Sequence, residues 1–479
     1  MQGNQAAEDT WGRLTRQVTM VTAAFVVAYT VWYLLWHSDF TNDDLDYLVI
    51  MQHTGFWQFV LAPADVHYAP LHEVLTWLIY HISPMNFAVA VAVLMIFHIG
   101  TLIYLACSLR LLNAGQASGL IVCGYAACSL IVSGLAWWAH AEQRVPYVFL
   151  DVCAIYHYLA WLRSGRGAHL WIAALAFVAA LGFYEKAVLI PFHMLVIGYL
   201  SDEARFRTQL RKTVWPPMLF ALGSAAFILA YLHFLPASGR AALPVAIRAD
   251  LEFVKVLLAG AAGLGIEAVH DVPIHGLSFR LAGVLLLLCA MFGWSLWRGR
   301  GSWKILPVML LVLLFDYLPI AVSNRIAWYG LELPREYRYH YEELQLVALF
   351  VGIWCARVAA ASVPVCRRKL VWLAGFTLVL AYAAINTVNS QMSRLKPLSW
   401  LWVMDHSHIY LEHLREDLAG IRDQAPVFEN DKLPRYLTLF GFTPDTRTLL
   451  PLFEPNVRFD DAASPRYKVL QDGHIERAR

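Results

Sequence analysis

Apolar runs long enough to cross a bilayer recur along most of this chain, and no other feature restricts its fold as much. They fall at roughly 18–36, 85–106, 118–138, 145–162, 168–184, 187–201, 213–235, 279–297, 304–323, 344–362 and 370–388, against the ~20 helical residues that span about 30 Å of hydrocarbon. Lipid offers the backbone no partners, so each such run closes its hydrogen bonds internally as an α-helix. The expected fold is therefore an all-α polytopic membrane protein of about eleven transmembrane helices, the short pair around Gly182 to Pro191 being the least regular. Composition agrees. Of 479 residues only 15% are charged, where a soluble chain carries about 25%. The 18 Trp and 22 Tyr suit a protein with many interfacial crossings. A net charge of +2 excludes a nucleic-acid partner held by charge.

Basic residues orient the spans. Arg13 and Arg16, Arg110, Arg163 and Arg166, Arg205 to Lys212, Arg298 to Lys304, and Arg367 to Lys369 occupy alternate connections, which the positive-inside rule assigns to the cytoplasm. The first run is long, lacks a small-residue cleavage site and is read as an uncleaved span with a cytoplasmic N-terminus. The other connections then face outward: Asp39 to Pro84, Trp137 to Arg144, the Tyr184–Lys186 corner, Ala237 to Phe279, and Asn324 to Glu343. In the first of these, Leu45, Leu48, Val49, Phe56, Phe59 and Val60 recur at helical spacing, as do Leu71, Val74, Leu75, Leu78 and Ile82. Amphipathic juxtamembrane helices are expected there. Residues 1–388 form the membrane domain in this reading. Residues 389–479 are polar, with a helix near Ile409 to Ile421 and strand-like runs "RYLTLFGF" and "RYKVL", and read as a small α+β extracytoplasmic domain. The seven cysteines lie in or beside apolar runs without a CxxC pair, which argues against a disulfide framework and a metal knuckle.

The outward connections hold the residues with chemical use. "DFTNDDLDYL" places Asp43, Asp44 and Asp46 directly after the first span. "HYAPLHEVL" brings His67 and His72, "WWAHAEQRVP" Glu142 and Arg144, "GFYEKAVLIP" Glu185 and Lys186, and "PREYRYHYEEL" Arg335, Arg338 and His340. Ionisable groups at span ends beside apolar runs are functional candidates.

These motifs, in this order, resemble the GT-C polytopic glycosyltransferases, which take a sugar from a polyprenyl-phosphate carrier at the outer membrane face. "DDLDY" is similar to the family's acidic pair with Tyr three residues on, as Asp43, Asp44 and Tyr47. "HYAPLHEVL" looks like the Pro-Leu segment that follows. "LAWWAHAEQRVPYVFL" matches the Trp-then-Arg motif, and "EYRYHYEELQLVALF" the Arg-Tyr segment opening a late span. "FYEKAVLIP" resembles the Lys-Glu corner with acid and base reversed. The resemblance covers about residues 18–390; the C-terminal domain matches no known module.

What the resemblance implies is an inverting transferase that moves a sugar from polyprenyl phosphate to an acceptor hydroxyl on a glycan, lipid or protein. Asp43 is the expected base, with Asp44 orienting it or binding a cation. Arg335 and Arg338 are the first donor-phosphate candidates, followed by Lys186 and Arg144. A structural alternative pairs Arg338 with Glu342. His67 and His72 lack convincing metal-ligand spacing, but either suits a hydrogen bond to phosphate or acceptor. Asp316 suits helix packing or a sugar contact, and Asp46 is expected to be solvated. No cofactor is demanded; a divalent cation at Asp43 or Asp44 is left open. The alternatives are a transporter or flippase for a lipid-linked or polar substrate, and a scaffold protein. The absence of an Asn-X-Ser/Thr sequon and of cysteines in the outward loops favours a bacterial inner membrane with a periplasmic site.

Overall fold

The computed structural model of the protein describes every residue except 1, 64–66, 235–239, 265–276, 299–300, 360–364, 398, 422–425, 439–444, 460–466 and 479. In chain order the helices are α1 (Gln2–His37), α2 (Asp43–His53), α3 (Phe56–Leu61), α4 (Pro70–Ile82), α5 (Phe87–Leu111), α6 (Ala117–Ala126), α7 (Ser129–Ala136), α8 (Trp138–Ser164), α9 (Gly167–Phe183), α10 (Ile190–Ser201), α11 (Glu203–Thr208), α12 (Leu210–Phe234), α13 (Leu243–Ala261), α14 (Leu277–Arg298), α15 (Ile305–Ala321), α16 (Asn324–Tyr329), α17 (Leu344–Ala359), α18 (Val365–Arg394), α19 (Trp400–Ile421) and α20 (Thr446–Phe453). The strands are β1 (Val427–Phe428), β2 (Arg458–Phe459), β3 (Tyr467–Val469) and β4 (Ile475–Arg477).

Local chemistry sets the boundaries. Pro70 opens α4 and Pro191 lies in the first turn of α10, where a missing N–H costs nothing and φ is already helical. Gly165 ends α8 in the left-handed region, its N–H donating to the Trp161 carbonyl, as a C-terminal glycine does. Among the described residues six helices are long and apolar enough to cross a membrane: Thr10–His37, Phe87–Leu111, Trp138–Ser164, Leu210–His233, Ser302–Ala321 and Lys369–Arg394. The protein is thus membrane-embedded and almost wholly α-helical.

The expected count of about eleven differs for identifiable reasons. The run at 118–138 is not one straight helix but α6 and α7, bent by 44° and a seventh span if the pair is counted once. Gly167–Phe183, Ala282–Trp297 and Leu344–Val358 are apolar but shorter, and α10 has 12 residues. The connection expected between Ala237 and Phe279 also holds a helix, α13, while 237–239 and 265–276 lie outside the described residues. Ala246, Ala249, Phe253, Val256 and Leu257 are its buried face, a helical period that Arg248, Asp250, Glu252 and Lys255 interrupt in the linear sequence. The first outward connection carries α2, α3 and α4 where amphipathic helices are expected.

After α18, α19 and a four-stranded sheet of order β2-β1-β3-β4 form the C-terminal unit. β1 pairs parallel with β2 and β3, and β3 pairs antiparallel with β4, Tyr467 opposite Arg477. "RYKVL" supplies β3. "RYLTLFGF" supplies a turn over 435–437 rather than a strand, its last four residues lying outside the described ones. The unit is tied to the end of α1. Asp405 accepts from Arg394 at 3.2 Å and meets His37 at 2.7 Å, and Thr41 meets Ser407 at 2.9 Å. Arg415 holds Asp39 with both guanidinium branches, at 2.5 and 2.8 Å.

The Asp39 clamp gives this docking a pH dependence. Burial alone would push the Asp39 carboxyl up; the Arg415 fork and its charge outweigh burial and hold it below the ordinary 3.8, with His408 and Glu412 as the neighbouring titratable groups. A depressed carboxylate stabilises fully above its unfolded value, and that contribution is lost as pH falls through the folded value. Limited proteolysis between α18 and α19 is therefore expected to be slow at about pH 5 and to accelerate progressively as pH falls below 3.8. In Asp39→Asn it is expected to be fast throughout.

Candidate functional site

The chain leaves α1 through Asp39–Asn42 and turns straight into α2, so the first turn of α2 lies against the start of α8. Asp44 makes this junction. Its two carboxylate oxygens accept the Thr41 N–H at 2.9 Å and the Ala139 N–H at 2.7 Å. It is wholly buried, and burial pushes its pKa well above the ordinary range against the pull of those donors. Asp44 fastens the helix that carries Asp43. Both its oxygens are taken by the backbone, so neither orienting Asp43 nor holding a cation describes its position.

Asp43, one residue earlier, is half-buried and lines a cavity of about 590 Å³. Asp46 and Tyr47 line it one turn further on. The expectation of a merely solvated Asp46 is corrected accordingly: residues three apart share a helix face, so the pair facing the cavity is Asp43 and Asp46, not Asp43 and Asp44.

The cavity also has a cationic lining. Arg144 from α8, Arg325 from α16 and Arg338 from the turn after it all line the cavity, balanced by Asp43, Asp46 and Glu336. Arg144 is 1% exposed, 3.4 Å from Glu342, with its guanidinium over the Tyr184 and Tyr339 rings. Arg338 donates to Glu336 at 2.7 Å, not to Glu342. Among the described residues, Arg144 Nε, Arg338 Nη1 and both His140 ring nitrogens are buried without a hydrogen-bond partner. Buried donors are almost always paired, and orphans from three side chains on one cavity mark where a ligand's acceptors fit. Glycine lets the turn approach. A Cβ on Gly134 of α7 would lie 2.6 Å from the Tyr341 side chain, so any larger residue would push the Arg338 turn out of place.

The remaining expected residues divide. His67 lines the cavity; Arg325 donates to its Nε2 at 2.8 Å and its Nδ1 meets Glu185 at 2.8 Å. That geometry assigns a neutral imidazole with the proton on Nδ1, a strut linking Glu185 to Arg325. His72 is fully buried behind Tyr47, 3.3 Å from Glu73 and 3.6 Å from Glu142, and does not line the cavity. Arg335 turns away to Glu252 on α13 at 3.2 Å, which corrects its place among the phosphate candidates. Lys186 is also withdrawn. It is 6% exposed among Asp316 at 3.0 Å, Glu342 at 3.3 Å and Glu343, and these charges hold it well above its ordinary pKa despite burial. Asp316 packs helices by bonding His193 at 2.9 Å.

Sequence reasoning passed over Arg325 and His140. Arg325 sits in "SNRIAWYG", at the start of the outward connection whose basic cluster, Arg335 and Arg338, begins ten residues further on. His140 is one turn before Arg144 on the same face of α8, so helical spacing from that arginine points to it. No group of three or more His, Cys, Asp and Glu side chains among the described residues is arranged to hold a metal ion. The carboxylates that line the cavity are Asp43, Asp46 and Glu336. No protein-family model and no curated protein matches the chain.

Proposed function

We propose that the protein is an inverting membrane glycosyltransferase of the GT-C type, which moves a sugar from a polyprenyl-phosphate carrier to an acceptor hydroxyl. One observation carries the reading: a carboxylate pair, Asp43 and Asp46, shares one cavity beside the apolar helices with three arginines, of which Arg144 and Arg338 keep orphaned buried donors. Transfer to a hydroxyl asks for both. Asp43 takes the acceptor proton as the acceptor oxygen bonds to the sugar carbon, and the bond from that carbon to the phosphate oxygen breaks. Arg144, Arg325 and Arg338 stabilise the charge that gathers on the departing phosphate. Ile50 and Trp328 at the cavity are exposed and apolar, which suits a lipid tail leaving toward the bilayer. The positive-inside bias supports a cytoplasmic N-terminus and a site on the outer face, and the lack of an Asn-X-Ser/Thr sequon and of cysteines in the outward loops supports the inner membrane of a bacterium.

A second reading, ion-coupled transport of an anionic or lipid-linked substrate, also rests on an observation. Behind Arg144 runs an unbroken buried chain: Glu342, Lys186, Asp316 and His193, then Asp151, which is 3.2 Å from His193 and accepts from Gln345 at 3.2 Å. Buried ionisable chains of this kind serve proton and ion movement in transporters.

Mass spectrometry of lipids retained by the mildly purified protein separates the two. A polyprenyl phosphate carrying a sugar, consumed with release of free polyprenyl phosphate when acceptor extract is added, is expected from the transferase. The same lipid bound and released unchanged would move the assignment to transport.

A further inference from the structure

We infer that Trp400, the first residue of α19, is a positioning residue of the cavity, acting by fixing the guanidinium of Arg338. The C-terminal unit thereby backs the cavity wall, behind Arg338 and Trp137, without lining the cavity itself.

Arg338 is held on two sides. Glu336 takes one edge, through Nε and Nη2 at 2.7 Å each. The indoles of Trp137 and Trp400 stack at 4.7 Å and 12°, and the Arg338 Cζ lies 4.1 Å from the first ring and 4.0 Å from the second. A guanidinium is a planar cation attracted to an indole π face, so two indoles and a carboxylate leave it little rotational freedom. Nη1, buried and without a partner, is the donor this arrangement leaves over.

Trp400 is itself anchored. The Ser399 hydroxyl accepts the Trp402 N–H at 3.1 Å at the start of α19. The Asp405, Ser407 and Arg415 contacts then fix that helix to the end of α1. The Asn42 N–H donates to the Leu437 carbonyl at 2.9 Å, so the same unit also holds the entrance to α2. The acid on α2 and the cation on the late turn thus share one reference frame. That frame comes from the part of the sequence with no motif.

The functional meaning rests on the donor-phosphate reading proposed above, so the test measures positioning and binding separately. Phenylglyoxal modification of Arg338, followed by peptide mass spectrometry on protein in nanodiscs, reads positioning without any ligand, with Arg335 as internal reference. Losing one indole face is expected to raise Arg338 modification about tenfold in Trp400→Ala. Trp400→Leu, which keeps apolar volume but no π face, is expected to do the same if the alanine variant folds poorly, and Trp400→Phe to stay near wild type. Unchanged Arg338 modification in both the alanine and the leucine variants overturns the inference.

Binding of undecaprenyl monophosphate then closes a double-mutant cycle. Trp400→Leu is expected to weaken binding about tenfold in the wild-type background and to have no further effect in Arg338→Ala. Independent, additive losses would show that Trp400 acts on the ligand by another route and overturn the positioning role. No binding by the wild-type protein defeats the donor reading, while the modification result still decides whether Trp400 positions Arg338.

Discussion

Asp43→Asn is expected to lower sugar transfer by about 10²–10⁴-fold without changing thermal stability or retained lipid. The side chain is half-buried at the cavity and begins α2. Asparagine keeps its size while losing the basicity that, in the proposed transfer, takes a proton from the acceptor hydroxyl. The same exchange at Asp44 is expected to act in the opposite sense. There two backbone N–H groups converge on two carboxylate oxygens, and asparagine offers one oxygen. One donor is left unsatisfied in a buried place, a cost of about 1–3 kcal/mol, and the α2–α8 junction loosens. The measurement is transfer of label from polyprenyl-phospho-sugar alongside thermal unfolding in the same nanodisc preparations. An Asp43→Asn protein with wild-type turnover removes Asp43 from the chemistry, and Asp46→Asn then decides whether its cavity neighbour is the base.

That contrast shows how far the linear sequence carries. Adjacent acids look equivalent in "NDDLD", yet helix geometry points them about 100° apart, one to the cavity and one into the junction. The signal that separates them is the i, i+3 partnership of Asp43 with Asp46, and it is legible once α2 is known to begin at Asp43. The membrane-embedded helical architecture was legible because lipid forces long apolar runs to be helices. Counting spans was less secure: an apolar run does not reveal the bend between α6 and α7, and it hides a helix such as α13 whose buried face is interleaved with charge. Arg335 and Arg338 differ in the same way. Three residues apart in one basic segment, they part company because Glu336, extended between two 3₁₀ turns, breaks the repeat that would align them and sends one to Glu252 and the other to the indoles. Trp400 had no signal at all. Its role depends on the packing of α19 against α7 and α1, far away in sequence.

Lys186 provides the second large expected effect, on stability. Its ammonium lies among Asp316, Glu342 and Glu343, all nearly inaccessible. Removing one partner of a buried ionic group leaves an uncompensated charge and costs about 3–5 kcal/mol, more than most single substitutions. Lys186→Met is therefore expected to lower the thermal unfolding midpoint markedly, at a pH where the carboxylates are ionised. Adding Glu343→Gln removes one of the stranded negative charges, so the double variant is expected to recover much of the loss. Sub-additivity of that size is what coupling within one network predicts. A direct phosphate contact predicts another pattern: Lys186→Met would then weaken undecaprenyl monophosphate binding, leave unfolding unchanged, and gain nothing from Glu343→Gln. The position of Lys186 one layer behind Arg144, with Glu342 touching both, favours the first pattern. In that arrangement the lysine sets the charge of the frame that holds the arginine, and a ligand meets the arginine.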